Sequence, residues 1–436
     1  MQAPSLDPDQ ALQALLARYR PLPGVADELL HPGGQIRPVW RDFMHFVAAL
    51  GPDDLSRRFR RGDQYLRDAG VFFRQYGDGG SVERAWPLSH MPVLISETDW
   101  TAIADGLRQR ADLLEDLAAD LYGPNRLVAA GHLPAGLIAA SREWLRPLVG
   151  VTPRGGHFLH FLAFEIGRGP DGSWWVLGDR TQAPSGAGFA LENRVATARV
   201  FSDINAEARV HRLAGFFRTF RDALTELAGI REDGVGILTP GPLNDTYFEH
   251  AYIARYLGFS LLEGEDLTVE DGRVLVRTIE GNRPISVLWR RLDSAFADPL
   301  ELDPSSRLGT PGLIGAVRGG SVTMVNALGT GVLETRALMA FLPRIAREIG
   351  SGAPLALPNI ATWWCGQASE RAHVLAHRNK MMIGPARATG LPYEADDATM
   401  LGGAVRGPAG DSFDSWLAAE GADLVGQESV MLSTTP

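Results

Sequence analysis

Two acids bracket a hairpin turn near the middle of this chain, and paired carboxylates are what a divalent cation requires. Glu165 lies on the first apolar run of "FLAFEIGRGPDGSWWVLGDR" and Asp179 at the end of the second. Side by side in a cleft they would repel, and a cation would relieve that repulsion. A three-residue turn places them opposite each other on one face, whereas a two- or four-residue turn points them apart. The residues alone favour the plainer reading, two solvated strand-end acids. Directly downstream, "APSGAGFALENR" has the small residues that let backbone N–H groups close on an anion. It suits a plain turn before a helix as well, and its spacing matches no Walker or dinucleotide fingerprint.

Other stretches carry weaker signals. "TPGPLNDTYFEH" joins a strand to a helix, where open α/β sheets place ligands. Asn244 and Tyr247 are available there for binding. Glu249, three residues after Thr246, completes a capping box and so has a structural role. "NALGTGVLE" reads as a strand, a GxG and a helix start that could hold a carboxylate or phosphate, with tight packing the commoner explanation. In "ATWWCGQ" the single cysteine, Cys365, reads as a buried small apolar residue rather than a nucleophile. The histidines show no HExxH spacing, and no GxSxG elbow is present.

These residues need elements to hold them. Residues 1–150 read mainly as helices. The clearest is "TDWTAIADGLRQRADLLEDLAADLYGPN", with Leu107, Ala111, Leu114, Ala118 and Leu121 on one stripe and Thr98 as the N-cap. A hairpin turning at Pro170-Asp171-Gly172 follows, then a helix carrying Phe217, Phe220 and Leu224. From about Val235 strands alternate with helices, which predicts a parallel, Rossmann-like sheet. Within it "LTVEDGRVLVRTI" reads as a hairpin turning at Asp271-Gly272. "TPGLIGAVRGG" starts a helix with Pro311 at its first position, and "GVLETRALMAFLPRIAREIG" reads as one helix.

Bulk composition bounds the function. The 436 residues exceed one ordinary core, so two or three domains are expected. A net charge of −10 with no basic run argues against nucleic acid or an anionic membrane as partner. One cysteine excludes an internal disulfide and a thiolate zinc cluster. The N-terminus lacks the pattern of a secretory signal, and the apolar runs are too short to span a bilayer, so a cytoplasmic protein is expected. Lys380 is the single lysine, so chemistry that needs a lysine has one candidate.

Five stretches in one order, "GSWWVLGDRTQAPSGAGFALENR", "LTPGPLNDTYFEHAYIARYLG", "NALGTGVLETRALMAFLP", "LPNIATWWCGQ" and "VGQESVMLSTTP", resemble the circularly permuted type 2 ATP-grasp family. Members are similar to glutathionylspermidine synthase and related to amide-forming ligases. The resemblance implies an α/β (α+β) fold and four parts. These are a helical region 1–150, a permuted ATP-grasp segment 151–231 with the metal and phosphate loop, a Rossmann-like pre-ATP-grasp domain 232–350, and an adenine-facing segment 351–436. It implies ATP and Mg²⁺ as cofactors, and an acyl phosphate formed on a carboxylate and displaced by an amine, with peptide-like or polyamine-like substrates.

By the same resemblance Asp179 and Glu165 would bind the metal. Ser185, Gly186 and Asn193 would meet or support the phosphates, with Lys380, Arg387, Gln427 and Glu428 also on the nucleotide. Arg180, Arg194 and Asn244 would take catalytic roles, and Tyr247, Asn326 and Gln367 would face the substrate. Three departures stand out. Gly178-Asp179-Arg180 replaces a Glu-Asp-Asn triplet. Gly384-Pro385 replaces a Lys-Pro pair, with Lys380 four residues early and Arg387 three late. The sequence stops at "LSTTP", where relatives continue with strands that finish the clamp. These departures point to weaker nucleotide binding, and to a rival expectation: a non-catalytic homologue that binds nucleotide or protein. The resemblance names an alpha-E family protein or a transglutaminase-like protease as a partner for it.

Overall fold

The computed structural model describes residues 7–77, 80–205, 209–229, 234–350, 352–390, 400–401 and 412–436. Its strands are β1 (Phe72–Gly77), β2 (Gly80–Ala85), β3 (Ala163–Arg168), β4 (Trp174–Arg180), β5 (Gly234–Leu238), β6 (Ser260–Leu262) and β7 (Leu267–Glu270). They continue with β8 (Arg273–Val276), β9 (Arg283–Arg290), β10 (Thr323–Val325), β11 (Thr362–Trp364), β12 (Met381–Pro385), β13 (Met400–Leu401) and β14 (Leu424–Glu428).

The expected parallel sheet is present. Strands β6, β5, β9 and β10 run parallel in that order. The start of β9 extends into the antiparallel hairpin β7–β8, whose turn residues Asp271 and Gly272 both adopt positive φ. Val287, Leu288 and Trp289 on β9 are buried on both faces, as a central parallel strand requires. The helix Ala214–Ala228 covers one face with Phe217, Phe220 and Leu224, packing against Trp289 and Ile253. A separate four-stranded sheet, β11–β14–β12–β13, holds the C-terminal part.

The helix Glu97–Tyr122 is capped by Ser96, whose hydroxyl accepts from the Asp99 amide, rather than by Thr98. Its buried face includes Ile103, Arg110, Leu114 and Leu117, so the apolar stripe carries a guanidinium in its middle.

Two helix expectations are corrected. Residues 330–340 form two 3-10 segments, Thr330–Glu334 and Arg336–Ala340, and only Leu342–Glu348 is an α-helix. The reason lies in the hydrogen bonds. The Arg336 and Ala337 amides donate to the carbonyls of Ala388 and Ala386, so they are unavailable to a continuous helix. The helix expected at Pro311 begins at Leu313, because Gly312 at φ 85° forms its N-cap and the Asp298 carboxylate accepts from the Ile314 amide.

Candidate functional site

The hairpin settles the geometry of the two acids. Its register sets Phe164 against Asp179, Glu165 against Gly178 and Ala163 against Arg180, with a bulge between Glu165 and Ile166. Asp179 therefore projects from one face, while Glu165 and Arg180 share the other. The Arg180 Nε donates to Glu165 Oε1 at 2.9 Å, and its Nη1 donates to the Thr389 carbonyl at 2.6 Å.

Asp179 is buried and already held. Arg110 Nε and Nη2 donate to its two oxygens at 2.6 and 2.7 Å, and both side chains are 1% exposed. Arg110 Nη1 also reaches Asn359 Oδ1 at 3.4 Å, and Asn359 bridges Val176 of β4. The bidentate pair uses the carboxylate in the manner of a guanidinium partner rather than a cation site. Among the described residues no group of three His, Cys, Asp or Glu side chains is placed to hold a metal ion. The expected Asp179–Glu165 metal pair does not fit a divalent cation.

The glycine loop after β4 leads into a helix, and its bonds are made within the chain. The helix Ala187–Val200 begins after Gly186, whose φ of 112° needs glycine. Its N-cap amide meets the side chain of Glu249. Gly186 N–H donates to Glu249 Oε2 at 2.5 Å. Glu249 therefore does not close a capping box on its own helix, Tyr247–Leu257. Arg291, just beyond β9, completes the cluster. Its Nη1 donates to the Pro184 carbonyl at 2.5 Å, and its Nη2 to Ser185 Oγ and Glu249 Oε1, both at 2.9 Å. Ser185 itself is exposed. Burial raises the Glu249 pKa and lowers that of Arg291, each opposed by its partner's charge.

Asn326 is corrected from a substrate contact to a structural tie. Its Oδ1 accepts from the His160 and Phe161 amides, and its Nδ2 donates to the Phe161 and Thr181 carbonyls, at 2.6–2.9 Å. That uses its whole hydrogen-bonding capacity. Beside it the Thr181 and Gln182 amides donate to Glu334 Oε1 at 2.6 and 2.5 Å. Burial pushes the Glu334 carboxyl up to about 7. Asn244 Oδ1 accepts from the Thr246 amide and hydroxyl, an Asx turn that shapes its loop, and Tyr247 stands partly exposed beside it.

The remaining residues are spread. Asn193 accepts from Trp86 Nε1 at 2.7 Å, and Arg194 is exposed one residue on. Register sets Met381, next to exposed Lys380, against exposed Glu428. Gln427 is buried, with Nε2 donating to Thr362 Oγ1 at 3.3 Å. Arg387 pairs with Asp423, and Gln367 is the exposed N-cap of the helix Ala368–His377. Burial pushes the Cys365 thiol up to about 12, which suits a core residue.

Arg110, Arg291 and Glu334 were missed as site residues in the sequence. Arg110 had a signal, a charge three and four residues before Leu113 and Leu114 on the buried stripe. Arg291 sat in "ISVLWRR" with no local mark.

Two chain segments thus converge on one face: the β3–β4 hairpin with its glycine loop, and the loops at the carboxyl ends of β5, β9 and β10. The β11–β14 sheet closes against the hairpin through Asn359 and Thr389. A family model for circularly permuted ATP-grasp type 2 matches residues 92–436, and the chain belongs to that family. It is similar to an uncharacterized protein of Synechocystis sp., 33% identical over 366 residues, 84% of this chain and 76% of the relative. An uncharacterized Mycobacterium tuberculosis protein is 33% identical over 420 residues, 94% of this chain and 73% of that protein. A second from the same organism is 35% identical over 382 residues, 85% of this chain but 43% of its own length, so this chain spans less than half of it. A glutathione synthetase-like effector from Globodera pallida, solved without ligand, shares the fold with a TM-score of 0.50. It is 12% identical, and the match covers 88% of this chain and 83% of that one. The family supports a general ATP-dependent, ligase-type function, and its members generally use ATP and Mg²⁺. Among the described residues no helix is long and apolar enough to cross a membrane.

Proposed function

We propose that this protein is an ATP-dependent carboxylate–amine ligase acting on a peptide-like or polyamine-like substrate. A carboxylate oxygen attacks the γ-phosphorus of ATP and ADP leaves. The amine then attacks the acyl phosphate carbon, and inorganic phosphate leaves with the C–O bond electrons. The observation that supports this reading is the glycine loop at the N-terminus of the Ala187–Val200 helix, joined by Arg291 to the carboxyl end of β9. A helix N-terminus with a guanidinium beside it favours an anion, and the edge of a parallel sheet is where such folds bind ligands. On this reading Ser185 and Gly186 meet phosphate, Asn244 and Tyr247 line the substrate side, and Lys380 and Glu428 lie toward the nucleotide. No step is assigned to a bound cation, because Asp179 is committed to Arg110.

That same commitment favours a second reading, a non-catalytic homologue that binds nucleotide or a protein partner such as an alpha-E family protein. Thermal unfolding with ATP and Mg²⁺, alongside ADP release in mixtures of carboxylates and amines, separates the two. The ligase reading expects an upward shift and ADP release that requires both substrates. A ligand at a hundred times its Kd adds about 2.7 kcal/mol to a folded state that alone binds it. A shift without ADP release under any mixture overturns the ligase reading in favour of the binding module. No shift at millimolar ATP overturns both nucleotide readings and leaves a protein partner.

A further inference from the structure

The glycine loop already holds an anion, and that anion belongs to the protein. Glu249 is 0% exposed, and its Oε2 accepts from the Gly186 amide at 2.5 Å. That amide is at the N-cap of a 14-residue helix, and a helix start is an anion-binding concavity. Gly188 is shaped to the occupant, since a Cβ there would lie 2.8 Å from Glu249 Cγ. Arg291 supplies the countercharge, its side chain 1% exposed. It is also incompletely satisfied: its Nε is buried without a hydrogen-bond partner among the described residues. The acceptors of Pro184, Ser185 and Glu249 leave the Nε donor unused. A phosphoryl group, with three terminal oxygens, offers more acceptors to the same donor set.

We propose that the Pro184–Gly188 loop and Arg291 form a phosphoryl-binding slot whose resident anion is Glu249, and that a phosphoryl group competes with Glu249 for it. This rests on the reading that phosphate meets this loop, and it adds that the loop is occupied in the resting chain. Ligand entry requires Glu249 to leave. Glu249 sits in the first turn of the Tyr247–Leu257 helix, directly after the exposed Pro242-Leu243 tip and the Asn244 turn. Movement of that first turn therefore couples the substrate-side loop to the phosphate slot. The burial that disfavours the charged carboxylate works in the same direction, by weakening the resident anion's hold.

The test uses inorganic tripolyphosphate alone, without carboxylate or amine substrate, so its outcome does not depend on ligase activity. Binding is read by calorimetry and by thermal shift for wild type, Glu249→Ala and Glu249→Ala/Arg291→Met. Glu249→Ala is expected to bind tripolyphosphate at least ten-fold more tightly than wild type, and the added Arg291→Met to abolish that gain. Folded Glu249→Ala with no gain over wild type overturns the proposal, as does a gain that survives loss of Arg291. Where Glu249→Ala does not accumulate folded, the readout is recovery of folded protein on dilution from urea, with tripolyphosphate or with sodium chloride at matched ionic strength. Higher recovery with tripolyphosphate is expected, and equal recovery overturns the proposal. ADP release can fail while the ten-fold gain holds, and the gain can fail while ADP release holds, so the two readings fall separately.

Discussion

Arg110→Met is expected to destabilise the fold by about 3–5 kcal/mol, the usual cost of leaving one member of a buried ion pair alone. The lowered urea midpoint of the variant is the measurement. The cost arises because Asp179 would stay buried without the two donors that satisfy it. Replacing both residues, as Arg110→Met/Asp179→Leu, is expected to recover most of that loss, since a hydrophobic pair of similar volume often replaces a buried ion pair at little net cost. This bears on how Asp179 should be probed. If Asp179 were a metal ligand, Asp179→Asn would lose activity with stability intact. With Arg110 clasping it, the substitution lowers stability first, and lost ADP release on its own says nothing of a cation. A full-strength Asp179→Asn fold, with an unchanged urea midpoint, would refute the structural role.

Glu334→Gln is expected to stabilise the protein at pH 8 and to do nothing at pH 4. Burial raises the folded pKa of Glu334 from 4.5 to about 7. Below about pH 4.5 the carboxyl is protonated in both states and contributes no pH dependence. Between about 4.5 and 7 the folded chain holds a proton that the unfolded chain has released, so stability falls as pH rises. Above about 7 the penalty is complete, up to about 3 kcal/mol at 1.36 kcal/mol per unit. Glutamine keeps an oxygen for the Thr181 and Gln182 amides and carries no charge to bury. Urea midpoints of variant and wild type across pH 4 to 8 should therefore diverge with rising pH. Parallel curves, or a variant weaker at pH 8, would show that the two amide bonds stabilise the anion more than burial opposes it.

Most of the architecture was readable because it rests on local periodicity. Alternation of short apolar runs with helical stripes gave the parallel sheet, and Asp271-Gly272 gave the β7–β8 turn through the positive φ both residues adopt. The site was less readable because its bonds cross the chain. The spacing of "PSGAG" marks an anion-friendly loop, but the partner that fills it, Glu249, lies 63 residues on, where Thr246 offered a nearer and wrong explanation. Hairpin register hung on a single bulge between Glu165 and Ile166, and that bulge decided whether two acids met. Asn326 and Asn244 have residue types that suit ligand binding and are spent on backbone groups, which no spacing reveals. The helix read across 331–350 failed similarly, through amides donated to Ala386 and Ala388.

The Arg110–Asp179–Asn359 tie also dictates an order of events on the ribosome. Arg110 leaves the exit tunnel first, Asp179 follows 69 residues later, and Asn359 comes 249 residues after Arg110. During that interval the outer edge of β4, away from β3, has no neighbour at Val176, whose N–H and C=O later pair with Pro358 and Ile360. A nascent chain therefore carries an open strand edge through the synthesis of some 180 residues, at about 5–20 residues per second. The inner edge of β4, by contrast, meets β3 within a single hairpin.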